Sequence, residues 1–214
     1  MAKTKIEWCD YTVNPFIGCK HGCFYCYAER MNKRFKFVKT WALPEYQAGW
    51  QEKIDKIRKP SIIFMGSMTD LFGEWVTDEF ITEMLYTCGL YTEHTFLFLT
   101  KNPKRYADFA FPSNCWRGAT ITNRETVKNV KYVDFVSVEP LMEDLGIYHF
   151  GNIKWMIVGG MTPKPVHKEQ WVKNLISWAD RFGVPIFLKD NLHYPKQIKE
   201  FSRELKQQKE QIEQ

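Results

Sequence analysis

The 214-residue chain carries 30 lysines and arginines against 25 aspartates and glutamates, a net charge of +5, with 44% hydrophobic and 26% charged residues. That balance excludes a disordered tail and a bundle of membrane spans, and the length fits one large domain whose core needs no disulfides. The basic excess is compatible with phosphate-bearing partners.

Glu7, Trp8 and Asp10 lie where a signal peptide needs an unbroken apolar stretch, and the apolar runs at 62–65 and 96–99 are too short for a bilayer. The expectation is a cytoplasmic protein with no membrane partner. In a reducing compartment the six cysteines are read first as metal or redox ligands. Neither a P-loop nor a G-x-G-x-x-G segment occurs, and Gly159-Gly160 alone does not define a nucleotide site.

From the N-terminus, a first strand is predicted within 11–17, followed by a cluster of cysteines. Next, Arg30, Lys33, Arg34, Lys36 and Lys39 interleave with Phe35, Phe37 and Trp41. Such a stretch tracks a phosphate backbone and stacks on bases, or forms an amphipathic helix with a solvated face. Short β-rich runs then recur at 61–66, 95–100, 116–121, 133–138, 154–159 and 184–188. Helical spacing lies between them at 78–88 and 168–182. Alternating strand and helix predicts parallel βαβ units. With about six or seven parallel strands, the fold class is α/β, an incomplete (β/α) barrel. The barrel is assigned to residues 1–195, and 196–214 to a charged helix of the same domain, with Ile198, Phe201, Leu205 and Ile212 on its docking face.

Polar clusters follow these runs: Ser67-Met68-Thr69-Asp70, Thr100-Lys101-Asn102, Thr122-Asn123-Arg124, Glu139-Pro140, Gly160-Met161-Thr162 and Lys189-Asp190-Asn191. In a parallel barrel the C-terminal strand ends share one rim where ligands bind. The six clusters are read as one pocket.

The most specific feature is Cys19-Lys-His-Gly-Cys23-Phe-Tyr-Cys26, a C-x3-C-x2-C loop with Gly18 and Gly22 easing its turns. Three local thiolates can converge on a metal centre; on a [4Fe-4S] cluster they leave one iron open. The rival is zinc in a non-catalytic nucleic-acid-binding protein, with Cys9 or His21 as fourth ligand. Cys88 and Cys115 read as buried hydrophobes, and His94, His149, His167 and His193 are scattered.

The cysteine spacing, with Tyr25 before the third thiol, resembles the signature of the radical S-adenosylmethionine (SAM) superfamily, whose fold is an incomplete (β/α) barrel. Further segments are similar to a small phage-type three-cysteine-motif family. They are Ile6-Glu7-Trp8, Asn14-Pro15, Gly18-Cys19, Cys26-Tyr27-Ala28-Glu29, Ser67-Met68-Thr69-Asp70-Leu71-Phe72, Leu99-Thr100-Lys101, Ser137-Val138-Glu139-Pro140-Leu141 and Val158-Gly159-Gly160.

The resemblance implies that Cys19, Cys23 and Cys26 hold a [4Fe-4S] cluster whose fourth iron takes the amino and carboxylate groups of S-adenosyl-L-methionine. Tyr25 would lie against the adenine. Gly66-Ser67-Met68 stands where the superfamily has a Gly-Gly-Glu-like segment, so Ser67 or Asp70 would replace its acid. Thr120, Thr122 and Asn123 would meet the ribose, and Gly159 and Gly160 the floor. Lys101, Glu139 and Lys189 are the candidate substrate contacts. A reductant such as flavodoxin or ferredoxin would supply the electron for a 5′-deoxyadenosyl radical that takes hydrogen from the substrate. The substrate expected is a nucleobase or modified nucleotide, in phage-type DNA or RNA modification.

Overall fold

Parallel neighbours cannot be joined by a tight turn, so each strand here is followed by a crossover long enough to return to the same edge. The computed structural model describes residues 3–128, 130–146, 148 and 150–213. Its main sheet contains β1 (Tyr11–Val13), β4 (Ile62–Met65), β5 (Thr95–Thr100), β6 (Cys115–Ile121), β7 (Phe135–Val138), β8 (Trp155–Val158) and β9 (Ile186–Leu188). All seven pair in parallel and in chain order, with no strand out of sequence. The sheet curls into a half-barrel, as the alternation of elements predicts.

The crossovers are uneven. Helix α3 (Asp78–Leu90) is capped by Thr77, whose hydroxyl accepts from Phe80 N, and carries Asp78 and Glu79 in its first turn. Helix α5 (Glu169–Phe182) stops at Gly183, which takes the left-handed conformation that favours glycine. Between β5 and β6 there is only a 3-10 helix, Pro103–Asp108, and between β6 and β7 the short α4 (Arg124–Val127).

Alternation along the strands sorts the core into layers. Ile63, Met65, Phe96 and Phe98 point outward beneath Ile81, Met84, Leu85 and Cys88 of α3. Val136, Val138, Met156, Val158, Ile186 and Leu188 do the same beneath α5. The inward residues are large and mostly aromatic: Ile62, Phe64, Leu97, Trp116, Phe135, Trp155, Ile157 and Phe187. Gly118 makes room among them, since a Cβ there would stand 2.3 Å from the Phe135 ring. Towards the C-terminal strand ends the same inward series turns polar, through Thr120, Ser137, Glu139, Lys101 and Lys189.

Two expectations are corrected. The stretch 11–17 is two elements: Pro15 ends β1, and β2 (Phe16–Ile17) leaves to pair antiparallel with β3 (Glu45–Tyr46). Residues 196–202 are not helical, with 198–200 extended along β9, and the tail helix, α6 (Arg203–Glu213), begins only at Arg203. The extended piece covers the open edge of β9: Leu188 N donates to Ile198 O at 2.8 Å and Glu200 N to Ile186 O at 3.1 Å. Trp155 Nε1 donates to Glu200 O at 2.7 Å. Phe201 then stacks on Trp155 (5.3 Å between ring centres) and meets Phe187 edge-on, plugging the half-barrel from within. Replacing Phe201 with alanine is expected to cost about 3–5 kcal/mol, read as a fall in the denaturation midpoint. Cys88 and Cys115 are buried, as expected of core thiols. His149 and the Ile212 side chain lie outside the described residues.

Candidate functional site

The site is assembled from two loops, one after β2 and one after β4. The cysteine loop departs after β2 and is stitched to what surrounds it: Gly18 N donates to Met68 O at 3.1 Å, and Cys19 N to Trp41 O at 2.9 Å. Gly18 has φ +112°, and a Cβ would stand 2.7 Å from Trp41 O, so this close passage excludes any side chain. The loop ends at Cys26, the N-cap of α1 (Tyr27–Phe35), whose Sγ accepts from Glu29 N at 3.3 Å. The loop after β4 is pinned by Asn14, whose Oδ1 accepts from Ser67 Oγ (3.1 Å) and Met68 N (3.0 Å). Tyr27 closes the pair of loops, donating its hydroxyl to Ser67 O at 2.5 Å.

Asp70 joins the loops to the rim. Its carboxylate meets His21 Nε2 at 2.7 Å, accepts from Lys101 N at 2.9 Å and Phe72 N at 3.0 Å, and bonds the Thr100 side chain. Burial alone would raise its pKa, but the His21, Lys101 and Thr100 contacts outweigh that and hold the carboxyl below its ordinary range. These four partners occupy the acceptor positions of both oxygens. Asp70 is therefore a clamp rather than a free carboxylate, and Ser67 is committed to Asn14 and Tyr27. The same contact engages His21, the fourth ligand a zinc reading would use, while Cys9 packs in the barrel interior.

The opposite wall comes from β7, β8 and β9. Glu139 accepts on one oxygen from Lys189 Nζ (2.5 Å) and Asn191 Nδ2 (3.1 Å). Gly159 lies outside the cavity lining but makes this possible, since a Cβ would stand 2.6 Å from the Glu139 carboxyl carbon. Gly160 lines the cavity and is fixed by Asn191, whose Oδ1 accepts from Gly160 N and whose Nδ2 donates to Gly160 O. Arg30 spans the opening, reaching Tyr25 O at 3.0 Å and Thr162 Oγ1 at 2.8 Å.

These groups surround a cavity of about 440 Å3. It is lined by Cys19, Cys23, Cys26, Tyr25, Gly66, Ser67, Met68, Asp70, Lys101, Thr120, Glu139, Gly160 and Lys189, all foreseen from sequence. Thr122 and Asn123 are not in its lining: Asn123 caps α4 in a reciprocal box with Thr126, and Thr122 N donates to the Thr126 hydroxyl. Sequence reasoning passed over Tyr27, Ser137 and the wall formed by Lys5, Ile6, Glu7 and Trp8, whereas Asn191, foreseen in the Lys189-Asp190-Asn191 cluster, does line the cavity. Ser137 had a signal, since it shares strand parity with Glu139. Glu7 is held by Lys199 and by Asp190 N, contacts that bring both chain ends to the rim.

The donor set fits an iron–sulfur cluster. Three thiols face one cavity, and burial is the main cause that pushes the Cys19 thiol up to about 11 and raises Cys26. Such thiols stay neutral alone and ionise when a cationic centre compensates them. At Cys26 the Glu29 N–H at the start of α1 favours the thiolate. Burial also raises the Tyr25 phenol, and the Lys101 ammonium stands 5.5 Å from its ring centre. Among the described residues, no three histidine, cysteine or acidic side chains are grouped for a single ion. No helix among them is long and apolar enough to cross a membrane.

Among solved structures, a cysteine-to-serine mutant of spore photoproduct lyase superposes with a TM-score of 0.56 at 10% identity, over 87% of this chain and 77% of that one. That likeness is one of fold, an incomplete (β/α) barrel. An uncharacterized protein of Methanocaldococcus jannaschii, MJ0683, is 30% identical over 69 residues, which is 32% of this chain and 27% of that protein. Residues 3–213 match a single family description, and on that match the chain belongs to the DUF5131 family, proteins of unknown function.

Proposed function

We propose that the chain is a radical SAM enzyme that removes a hydrogen atom from an organic substrate held at the barrel rim. The observation that carries the reading is the opening of Cys19, Cys23 and Cys26 onto the same cavity as the polar strand ends. Spore photoproduct lyase, whose fold is shared, is a radical SAM enzyme, which supports the class. Cys19, Cys23 and Cys26 would hold a [4Fe-4S] cluster, and the remainder of the cavity they line would take S-adenosylmethionine. When bound, the two supply one-electron cleavage of a carbon–sulfur bond and a carbon-centred hydrogen abstractor.

The chain's own residues bind, orient and keep water out. Tyr25 and Tyr27 wall the nucleoside side, and Trp8, Phe64 and Leu99 form the apolar floor. Glu139, which lines the same cavity as Ser67, would receive the methionine amine in place of the saturated Asp70. Lys101 and Lys189 meet the substrate, read as a nucleobase or modified nucleotide, and flavodoxin or ferredoxin serves as reductant. The phage-type affiliation belongs to the same reading.

Anaerobic purification followed by iron and sulfide analysis tests the metal centre. About four irons per chain with a broad brown absorption is expected of a cubane. A colourless protein retaining zinc would contradict it.

A further inference from the structure

The charge of this chain is concentrated in one place. Residues 20–44 hold six lysines and arginines and one glutamate, an excess of five, while the rest carries 24 of each sign. The whole net charge therefore sits on the cysteine loop, α1 and the segment that follows. The one acid, Glu29, is taken by Lys33 at 2.9 Å. Arg30 is spent on Tyr25 O and Thr162. Lys20, Arg34, Lys36 and Lys39 are exposed and make no ion pair among the described residues.

Aromatic rings share this surface with the charges. Phe24 is 80% exposed beside Cys23, and Phe35 and Phe37 are 54% and 46% exposed with ring centres 5.7 Å apart. The Arg34 guanidinium lies 5.0 Å from the Phe35 ring centre. Rings this open would fold back onto the protein unless the backbone held them out. Asn32 does so: buried under α1, it accepts from Val38 N at 2.9 Å and donates to Val38 O at 3.1 Å. Lys36, in the left-handed conformation, ends the helix. The turn that presents Lys36 and Phe37 is thus built in advance, which lowers the entropy cost of binding.

We propose that this surface is a track for single-stranded nucleic acid leading to the cavity. Phosphates meet Lys20, Lys36 and Lys39, and bases stack on Phe35, Phe37 and Phe24. Cations and rings alternate along Lys33-Arg34-Phe35-Lys36-Phe37-Val38-Lys39, and a membrane surface is the competing occupant that the test separates. The nine residues of α1 span about 13 Å, the length of about four stacked nucleotides at 3.4 Å each. The track begins at the site itself, because Cys23, Tyr25 and Tyr27 line the cavity. A base at its end can therefore turn inward once unstacked. The inference names the substrate class of the proposed enzyme and rests on that reading only for what happens inside the cavity.

The test is fluorescence anisotropy of the full chain with a labelled single-stranded oligonucleotide, as DNA and as RNA, across a salt series. Binding should weaken with salt, and the log–log slope should fall by about 0.7 for each lysine removed in Lys36→Ala and Lys39→Ala. Phe35→Ala with Phe37→Ala should lose at least about five-fold in affinity at an unchanged slope, with thermal melting unaltered. Salt-insensitive or absent binding, equal binding of duplex, or stronger binding to phosphatidylglycerol vesicles that needs the two rings would overturn the proposal. Formation of 5′-deoxyadenosine without oligonucleotide binding sinks the track alone. Oligonucleotide binding without 5′-deoxyadenosine sinks the enzyme reading alone.

Discussion

Replacing Cys23 with alanine should leave a folded, colourless chain that retains almost no iron and cleaves no S-adenosylmethionine. Cys23 is partly exposed at the cavity wall, and its Cβ belongs to no core cluster, so the fold does not depend on it. Cys19 and Cys26 would remain, but two thiolates leave two irons of a cubane without protein ligands. The unfolding free energy of the iron-free variant should match that of iron-free wild type within about 0.5 kcal/mol. The pairing of an unchanged fold with lost iron is the signature of a ligand. A variant that keeps its iron would remove Cys23 from the centre.

The second large effect belongs to Asp70. Changing it to alanine strips partners from His21, Lys101 N, Phe72 N and the Thr100 hydroxyl at once. Each buried donor left without an acceptor costs about 1–3 kcal/mol, together a large part of the stability of an ordinary domain. The cysteine loop would also lose its tie to the β5 rim. Iron uptake should therefore fall several-fold even at temperatures where the variant is folded. Asp70→Asn keeps one oxygen for backbone donors but turns an amide N–H towards another donor, so an intermediate loss is expected. Because the folded pKa of Asp70 lies below its unfolded value, its contribution is fully present at neutral pH. It is lost as pH falls below the ordinary carboxylate range. Calorimetry from neutral to acid pH should show wild type converging on Asp70→Ala; a constant gap would contradict the clamp.

Why some of this was readable in the sequence and some was not follows from how far apart the partners lie. Strands of a parallel sheet are buried on both faces and appear as continuous apolar runs, so 61–66, 95–100 and 154–159 fall on β4, β5 and β8. The three thiols lie within eight residues, and their shared wall needed no long-range information. Asp70 is 49 residues from His21 and 31 from Lys101, and nothing local says that its oxygens are filled. Thr122 and Asn123 follow a strand as site residues would, but Asn123 and Thr126 sit at capping-box spacing, and the cap prevailed. In the tail, Ile198, Phe201 and Leu205 have helical spacing. The uncovered edge of β9 and the hollow beside Trp155 instead draw the first two into an extended strap.

The most direct test of the account is to incubate the anaerobically reconstituted protein with dithionite and S-adenosylmethionine and measure 5′-deoxyadenosine and methionine. The account predicts both products in equal amounts, from wild type and from neither Cys19→Ala nor Cys23→Ala. Brown, iron-loaded wild-type protein that leaves S-adenosylmethionine intact would contradict it.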